Sequence, residues 1–402
     1  MIVEPKIKGF ICTTAHPKGC EKNIENNIKY LSDNPKINLP DVKNVLVIGA
    51  AAGYGLASAM TATFALDANV IAIIFEKNAQ KDRNRTATAG MYNLAAYQKE
   101  ANKRNLYLKT IIGDAFANQT KEKVCDLIKS DLKKIDMIVY SIGAPNRIDP
   151  ETGEKYMSVI KPIGKEYKSK GIDLTYYKMN EVTVQPATDE EVKNTVHVMG
   201  GEDLKLWVDI LEKNSLLRDN AIVLSYSYIG PKVTHDIYLN GSIGEAKNHI
   251  KQTADNLNRE YKVKSYISVN KAVVTQSSSA IPVLPLYISI LFKVMKEKNL
   301  HENCVQQMYR LFKKIADGHD LTDKDGFIRI DDLEMRDDVQ QEVAERWEKV
   351  TDDNLRELAD LDGYRNDFIN LFGFGLEGVN YSEDVEIEVD EKSLGIIDLI
   401  NS

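Results

Sequence analysis

The chain has 402 residues, 43% of them hydrophobic and 28% charged, with a formal net charge of −8. That balance argues against a nucleic-acid partner, since no basic stripe offsets the acidic total, and it leaves ample apolar material for a packed core. The four cysteines, Cys12, Cys20, Cys125 and Cys304, form no C-x-x-C and no histidine pairing of the kind a zinc site uses, so neither a disulfide framework nor a metal site is expected.

The opening Met1-Ile2-Val3-Glu4-Pro5-Lys6 has no apolar signal core, which points to a cytoplasmic protein. The first core element is the β-branched run Val45-Leu46-Val47-Ile48, expected as a strand. It breaks into Gly49-Ala50-Ala51-Ala52-Gly53-Tyr54-Gly55, and a helix is predicted from Leu56 to Phe64. Glycines in such a turn let backbone N–H groups approach a pyrophosphate, and the helix N-terminus adds the positive end of its dipole. The spacing G-x-x-x-G-x-G belongs to the short-chain dehydrogenase/reductase type of Rossmann fold. Alone it is weak, because any tight strand-to-helix turn wants glycine.

Three further strand ends fall in step with it. Val70 to Phe75 is predicted as a strand leading into Glu76, at the position whose carboxylate grips the adenosine ribose; its charge would repel a 2′-phosphate and favour NADH over NADPH. The following Lys77, Lys81, Arg83 and Arg85 read as a solvated loop, although they also suit a phosphate. Leu108 to Ile112 ends in Gly113-Asp114-Ala115, with Asp114 set to meet the adenine amino group. Met137 to Tyr140 ends in Ser141-Ile142-Gly143-Ala144-Pro145, a turn expected beneath the cofactor. Four such ends on a βαβ rhythm predict a doubly wound parallel sheet.

After Pro145 the rhythm stops. Tyr156–Ile160 and Asp173–Tyr177 read as short hairpin strands, Thr188-Asp189-Glu190-Glu191 as a capping box, and Glu202 to Lys213 as a helix. The core resumes at Ala221-Ile222-Val223-Leu224, followed by Tyr226, Tyr228 and Tyr238. Short-chain reductases pair a tyrosine acid with a lysine that holds the nicotinamide ribose and lowers the tyrosine pKa. A tyrosine nine positions before a lysine occurs three times here: Tyr156/Lys165, Tyr238/Lys247 and Tyr287/Lys296. Nine residues of one helix rotate by about 900°, which sets the two side chains on opposite faces. The tyrosine must therefore precede the helix. Only around Tyr238 does it do so near strand ends: Asn240-Gly241 is a turn, and Ser242-Ile243-Gly244-Glu245 reads as a capping box opening a helix to about Tyr261.

A strand is expected over Ser265–Val269. The hydroxyl-rich loop after it, from Val274 through Thr275, Gln276 and Ser277 to Pro282, suits the nicotinamide carboxamide and the phosphates. Ala280 to Val294 is too short and interrupted to span a bilayer; it reads as a buried helix or as an apolar flap over a ligand. From Leu300 the chain is acidic and helical. Asp323 to Ile328 reads as a turn into a short strand and not as a calcium loop, whose first ligand would be Leu321 and whose twelfth would be Asp332. The domain organisation expected is residues 1–143 as the N-terminal segment and dinucleotide half, 144–220 as an insertion, 221–300 as the second half of the core, and 301–402 as a mainly helical extension, in one integrated unit.

These residues together closely resemble the FabV-type enoyl reductases, NADH-dependent enzymes acting on trans-2-enoyl-CoA or enoyl-acyl-carrier-protein. The resemblance rests on Pro5-x-x-x-Gly9-Phe10-Ile11, Thr14-Ala15-His16-Pro17-x-Gly19-Cys20, the glycine turn, Met199-Gly200-Gly201-Glu202, Tyr226-Ser227-Tyr228-Ile229-Gly230-Pro231, and Tyr238 with Lys247. It implies Tyr238 as proton donor, Lys247 as the cofactor-holding lysine, Tyr228 as a contact to the substrate carbonyl, an enoyl thioester as substrate, and a monomer with a lid-like substrate region. Two rivals are a carbonyl reductase, which would carry a lysine four positions after its tyrosine where Ser242 stands, and an NADH sensor, which would need neither Tyr238 nor Lys247.

Overall fold

In a computed structural model, residues 1–9 and 11–400 are described; Phe10, part of the N-terminal motif, lies outside them. A small hairpin, β1 (Ile7–Lys8) and β2 (Ile11–Cys12), leads into α1 (Pro17–Asp33). A regular alternation follows: β3 (Asn44–Ile48), α2 (Gly53–Phe64), β4 (Asn69–Ile74), α3 (Ala89–Lys103), β5 (Leu108–Ile112), α4 (Asn118–Leu127) and β6 (Ile135–Tyr140). Strand β4 closes at Ile74, so Phe75 and Glu76 sit just past the strand, with Phe75 exposed. Strands β3 to β6 are apolar on both faces. Val45 and Val47 join one core, and Leu46 and Ile48 the other. Burial on both faces requires helices on both sides.

The chain then leaves the sheet for two antiparallel hairpins, β7 (Asn146–Ile148) with β8 (Lys155–Met157) and β9 (Tyr167–Asp173) with β10 (Lys178–Val184), followed by α5 (Asp189–Met199) and α6 (Glu202–Lys213). The capping box at Thr188 is present. The strand expected over Asp173–Tyr177 is a turn instead. Asp173 Oδ1 accepts the N–H groups of Thr175 and Tyr176, and Tyr177 is left-handed at φ +52°. The flanking strands were missed because they are mostly polar.

The sheet resumes with β11 (Leu217–Ser227), α7 (Lys232–His235), α8 (Ser242–Glu260) and β12 (Val263–Val269). Helix α8 begins and ends as expected, but its cap differs. Gly241 is the N-cap, and the Ser242 hydroxyl donates to Val159 O at 2.6 Å. A tertiary bond to the insertion has taken the group that local capping would have used. The hydroxyl-rich loop also holds a one-turn helix, α9 (Gln276–Ser279), capped by Thr275.

The remaining chain forms α10 (Leu284–Glu297), α11 (Cys304–Asp317), β13 (Phe327–Arg329), α12 (Asp337–Lys349), α13 (Leu355–Leu358), α14 (Leu361–Asn370), α15 (Glu391–Leu394) and β14 (Ile397–Asp398). Helix α10 is buried along most of its length, and no described helix is long and apolar enough to cross a membrane. All eight strands of the main sheet run parallel, in the order β13-β12-β11-β6-β3-β4-β5-β14. The order reverses between β3 and β6, which opens a crevice at the carboxyl ends of those two strands, where an open α/β sheet takes its ligand. The C-terminal extension is more than helical, since it caps both edges of the sheet with β13 and β14.

Candidate active site

Parallel strands bring every predicted strand-end segment to one edge. At the switch point, Gly49 sits at φ +91°, and a Cβ there would stand 2.2 Å from Ser141 O; the β3 and β6 turns are in direct backbone contact. A Cβ on Gly55 would stand 2.0 Å from Gly49 O, so only glycine lets α2 begin this close to its strand. The first turn of α2, which follows directly on the glycine turn, has no side-chain cap for its N-terminal N–H groups. Backbone and dipole there fit a pyrophosphate. The Val274–Ser277 segment reaches the same turn, with Thr275 Cγ2 3.6 Å from a Cβ built on Gly53.

Glu76 lies beside α3, where the absence of a side chain on Gly90 makes room. A Cβ on Gly90 would stand 2.6 Å from the Glu76 carboxyl and 2.9 Å from Ala51 Cβ. The carboxylate is thus held next to the glycine turn, and burial pushes its pKa up, with Thr88 opposing. Lys81 of the neighbouring basic loop pairs with Glu386 and Glu388 at 3.0 Å. Asp114 Oδ1 accepts Phe116 N at 2.9 Å, and Gly143 is open, with nothing near a built Cβ.

Two residues that support this half were not foreseen. The buried Lys121 ammonium donates to the carbonyls of Ala115 and Phe116 and to Asp203 Oδ1, at 2.8–2.9 Å, and Tyr140 donates to Asp203 Oδ2. This ion pair ties the β5 and β6 ends together from below. Its only signal was an acid directly after Met199-Gly200-Gly201-Glu202.

On the other side of the switch point, β11 and the turn after α7 bring Tyr226, Tyr228, Tyr238 and Lys247 around a cavity of about 180 Å³, which Ile281, Leu284 and Ile288 also line. Tyr238 precedes α8 and Lys247 lies in its second turn. The Tyr228 and Tyr238 rings meet edge to face, 5.1 Å apart. Lys247 is half-buried but dry at its ammonium, which donates to Tyr226 O at 2.9 Å; burial lowers its pKa to about 8. Tyr226 is structural, its hydroxyl 2.5 Å from Ser58 Oγ. Tyr287 and Lys296 share α10, so that pair is dismissed as a unit, yet Tyr287 reaches the site through another partner. Its hydroxyl donates to Glu334 Oε1 at 2.6 Å, and Tyr228 donates to the same oxygen at 3.3 Å.

One electrostatic expectation is corrected. Burial pushes the Tyr238 pKa up, and Lys247 is not among the groups that act on that phenol here. Tyr238 is therefore a neutral O–H donor, and no described residue bonds its hydroxyl. Another cavity, about 690 Å³, lies at the amino ends of β6, β11 and β12 among Asp41, Asp136, Arg218 and Lys264, away from all of these groups.

Hydride chemistry on a bound dinucleotide is what such a crevice suits, and the fold sets the chain among the Rossmann-type reductases. Comparison with known proteins narrows the class. Residues 85–316 match the trans-2-enoyl-CoA reductase catalytic region, and residues 2–81 the NAD(P)H binding domain of trans-2-enoyl-CoA reductase. A "Trans-2-enoyl-CoA reductase [NADH]" of Ruminiclostridium cellulolyticum is 50% identical over 398 residues, covering 98% of this chain and 100% of that one. An "Enoyl-[acyl-carrier-protein] reductase [NADH]" of Flavobacterium psychrophilum is 49% identical over 399 residues, 98% of this chain and 100% of the relative. The crystal structure of the Treponema denticola trans-2-enoyl-CoA reductase in complex with NAD superposes with a TM-score of 0.92 at 44% identity, covering 97% of this chain and 99% of that one. The chain belongs to the trans-2-enoyl-CoA reductase family, the FabV type of enoyl reductase.

Residues 322–385 also match a region described as the enoyl reductase FAD binding domain. The residues present do not fit a flavin. The segment has no strand–glycine–helix turn, and its buried acids are already bonded, Asp331 to Arg329 and Glu334 to Tyr287 and Ala272 N.

Proposed function

We propose that this protein reduces the 2,3-double bond of trans-2-enoyl thioesters to the saturated acyl thioester with NADH. The observation that carries the reading is the convergence of Tyr228, Tyr238 and Lys247 on one small cavity beside the glycine turn, in a chain half identical to an NADH-dependent trans-2-enoyl-CoA reductase.

NADH held against the glycine turn supplies a hydride for the β-carbon of the conjugated thioester, which leaves enolate charge on the thioester oxygen. Gly49 through Gly55 take the pyrophosphate, Phe75 and Glu76 the adenosine ribose, Asp114 and Ala115 the adenine, and Ser141 to Gly143 with Val274 to Ser277 the nicotinamide half. The ammonium of Lys247 has three protons and one protein acceptor, so two remain for the nicotinamide ribose hydroxyls. Tyr238 donates its phenolic proton toward the developing oxyanion, and Tyr228 offers a second donor once it turns from Glu334. Both act beside the apolar side chains of Ile281, Leu284 and Ile288, where such donors are worth more than in solution. The proton that Tyr238 gives up ends on the α-carbon, which completes the reduction, and the tyrosinate takes its replacement from solvent. Glu76 disfavours a 2′-phosphate, so NADH is preferred to NADPH.

The carrier is coenzyme A or acyl carrier protein, and we read the protein as a cytoplasmic monomer. Four unpaired cysteines, two of them buried, suit a reducing compartment. A carbonyl reductase is disfavoured because Ser242, four positions after Tyr238, spends its hydroxyl on Val159 and Lys161. The deciding assay is NADH oxidation with crotonyl-CoA and, separately, acetoacetyl-CoA. Turnover with the first and none with the second supports the reading. The reverse pattern identifies a carbonyl reductase, and no turnover with either leaves a sensor.

A further inference from the structure

The most unusual group near the cavity is one that no motif announced. Glu334 is 0% exposed and stands in the turn between β13 and α12, so the C-terminal extension delivers it to the catalytic half of the sheet. The topology explains how. Strand β13 adds beside β12 in register from Ile267↔Phe327 to Val269↔Arg329, and the turn after β13 then passes under the chain leaving β12. There Glu334 Oε2 accepts the N–H of Ala272 at 2.7 Å. Its other oxygen, Oε1, accepts Tyr287 at 2.6 Å and Tyr228 at 3.3 Å. Gln340 donates to the Tyr287 hydroxyl at 3.2 Å, so that oxygen accepts from Gln340 while its own proton goes to Glu334. Lys271, whose Nζ is bonded to Ala272 O and lies 4.7 Å from the Phe292 ring centre, is the neighbouring cation, and Asp331 is the neighbouring acid.

A buried carboxyl is costly unless its oxygens are occupied, and here each donor it holds is tied to the active-site wall. Of the three, Tyr287 and Ala272 N are short and committed. The Tyr228 bond is long, and Tyr228 is one of the residues that line the cavity. A phenol whose proton points at Glu334 presents a lone pair to the cavity, whereas one that rotates presents a donor. The loose bond makes that rotation cheap, and the two tight ones keep the carboxyl from following.

We propose that Glu334 is a positioning residue for the reaction: it holds the Tyr228 phenol at the cavity wall through a long hydrogen bond, which the phenol gives up as it turns its proton to the substrate. The inference rests on the reading of Tyr228 as a donor to the thioester oxygen. It makes the extension part of the catalytic apparatus, acting through Tyr228 and not on substrate.

The test is a double-mutant cycle of Glu334→Gln and Tyr228→Phe, read as kcat with crotonyl-CoA and as NADH affinity by fluorescence titration. Glu334→Gln in the wild-type background should lower kcat by roughly tenfold, the scale of one misdirected hydrogen bond, with NADH affinity unchanged. In the Tyr228→Phe background the same substitution should change kcat by less than about twofold, since nothing remains to be positioned. Equal losses in both backgrounds, or no loss in either, overturn the inference and leave the reading of Tyr228 intact. A fully active Tyr228→Phe enzyme overturns both. Should Glu334→Gln not fold, Tyr287→Phe, which frees the same carboxyl oxygen, takes its place in the cycle with the same expectations.

Discussion

The two halves of the sheet meet their ligands by different means. At the ends of β3, β4 and β6 the site is made of backbone: Gly49 and Gly55 allow contacts that any Cβ would block, the α2 N-terminus is uncapped by a side chain, and the acid Glu76 is aimed by a gap at Gly90. Past the ends of β11 and β12 it is made of ionisable side chains in a dry setting, with Lys247 and Lys271 both lowered to about 8 and the Tyr228 and Tyr238 phenols pushed up. On the proposed function the first half recognises by shape and dipole, so it should fail sterically. The second would work by proton position, so it should fail chemically while its shape survives.

The largest effect expected is on the backbone side. Gly55→Val places side-chain atoms against Gly49 O, where even a Cβ would stand at 2.0 Å. Overpacking of that kind displaces the turn. NADH affinity should fall at least about 100-fold, with turnover lost in step, as measured by fluorescence titration beside circular dichroism. Unchanged NADH binding would show that the glycine turn does not carry the cofactor.

Next is the phenol. Tyr238→Phe should lower kcat by about 10²–10⁴, the usual contribution of a general acid, in steady-state assays with crotonyl-CoA. Lys247 should then show itself in the pH profile. Its ammonium is charged below a pKa of about 8 and loses its charge above it, so kcat/KM should fall as pH rises through that value, by about tenfold per unit beyond it. NADH, which favours the charged form, should move the limb upward in kcat. Lys247→Met should remove the limb and weaken NADH; a limb that persists in this variant belongs to another group. The smallest change is Glu76→Gln, which should narrow the preference for NADH over NADPH by about tenfold through loss of one charge repulsion, with kcat for NADH little altered. Faster wild-type turnover with NADPH would contradict the role given to Glu76.

The same division governs what could be read from the sequence. Strand β5 is found residue for residue at Leu108–Ile112, because an apolar run closed by Gly113 is a local signal. The glycine turn and α2 follow from the same kind of pattern. The hairpin β9–β10 escaped because its strands are polar and are held by distant groups: Lys170 donates to Trp347 O, and Met179 N to Asp352. Ser242 looked like a cap until Val159, far away in sequence, claimed its hydroxyl. In the catalytic half, Tyr238 and Lys247 were legible because a turn and a helix start fix their relation within a few residues. Glu334 was not, since its partners Tyr228, Ala272 and Tyr287 lie on three separate elements and only the folded sheet edge collects them. Nor was the burial of Tyr238, which pushes its pKa up where Lys247 was expected to lower it.

The most direct test of the division is the NADH affinity of Tyr238→Phe, titrated by fluorescence on the same preparation that is assayed for turnover. The account predicts a dissociation constant within about twofold of wild type alongside the loss in kcat, because this phenol meets substrate charge and not the cofactor. A loss of NADH affinity in proportion to the loss of turnover would contradict it, and would make Tyr238 part of the cofactor's binding surface.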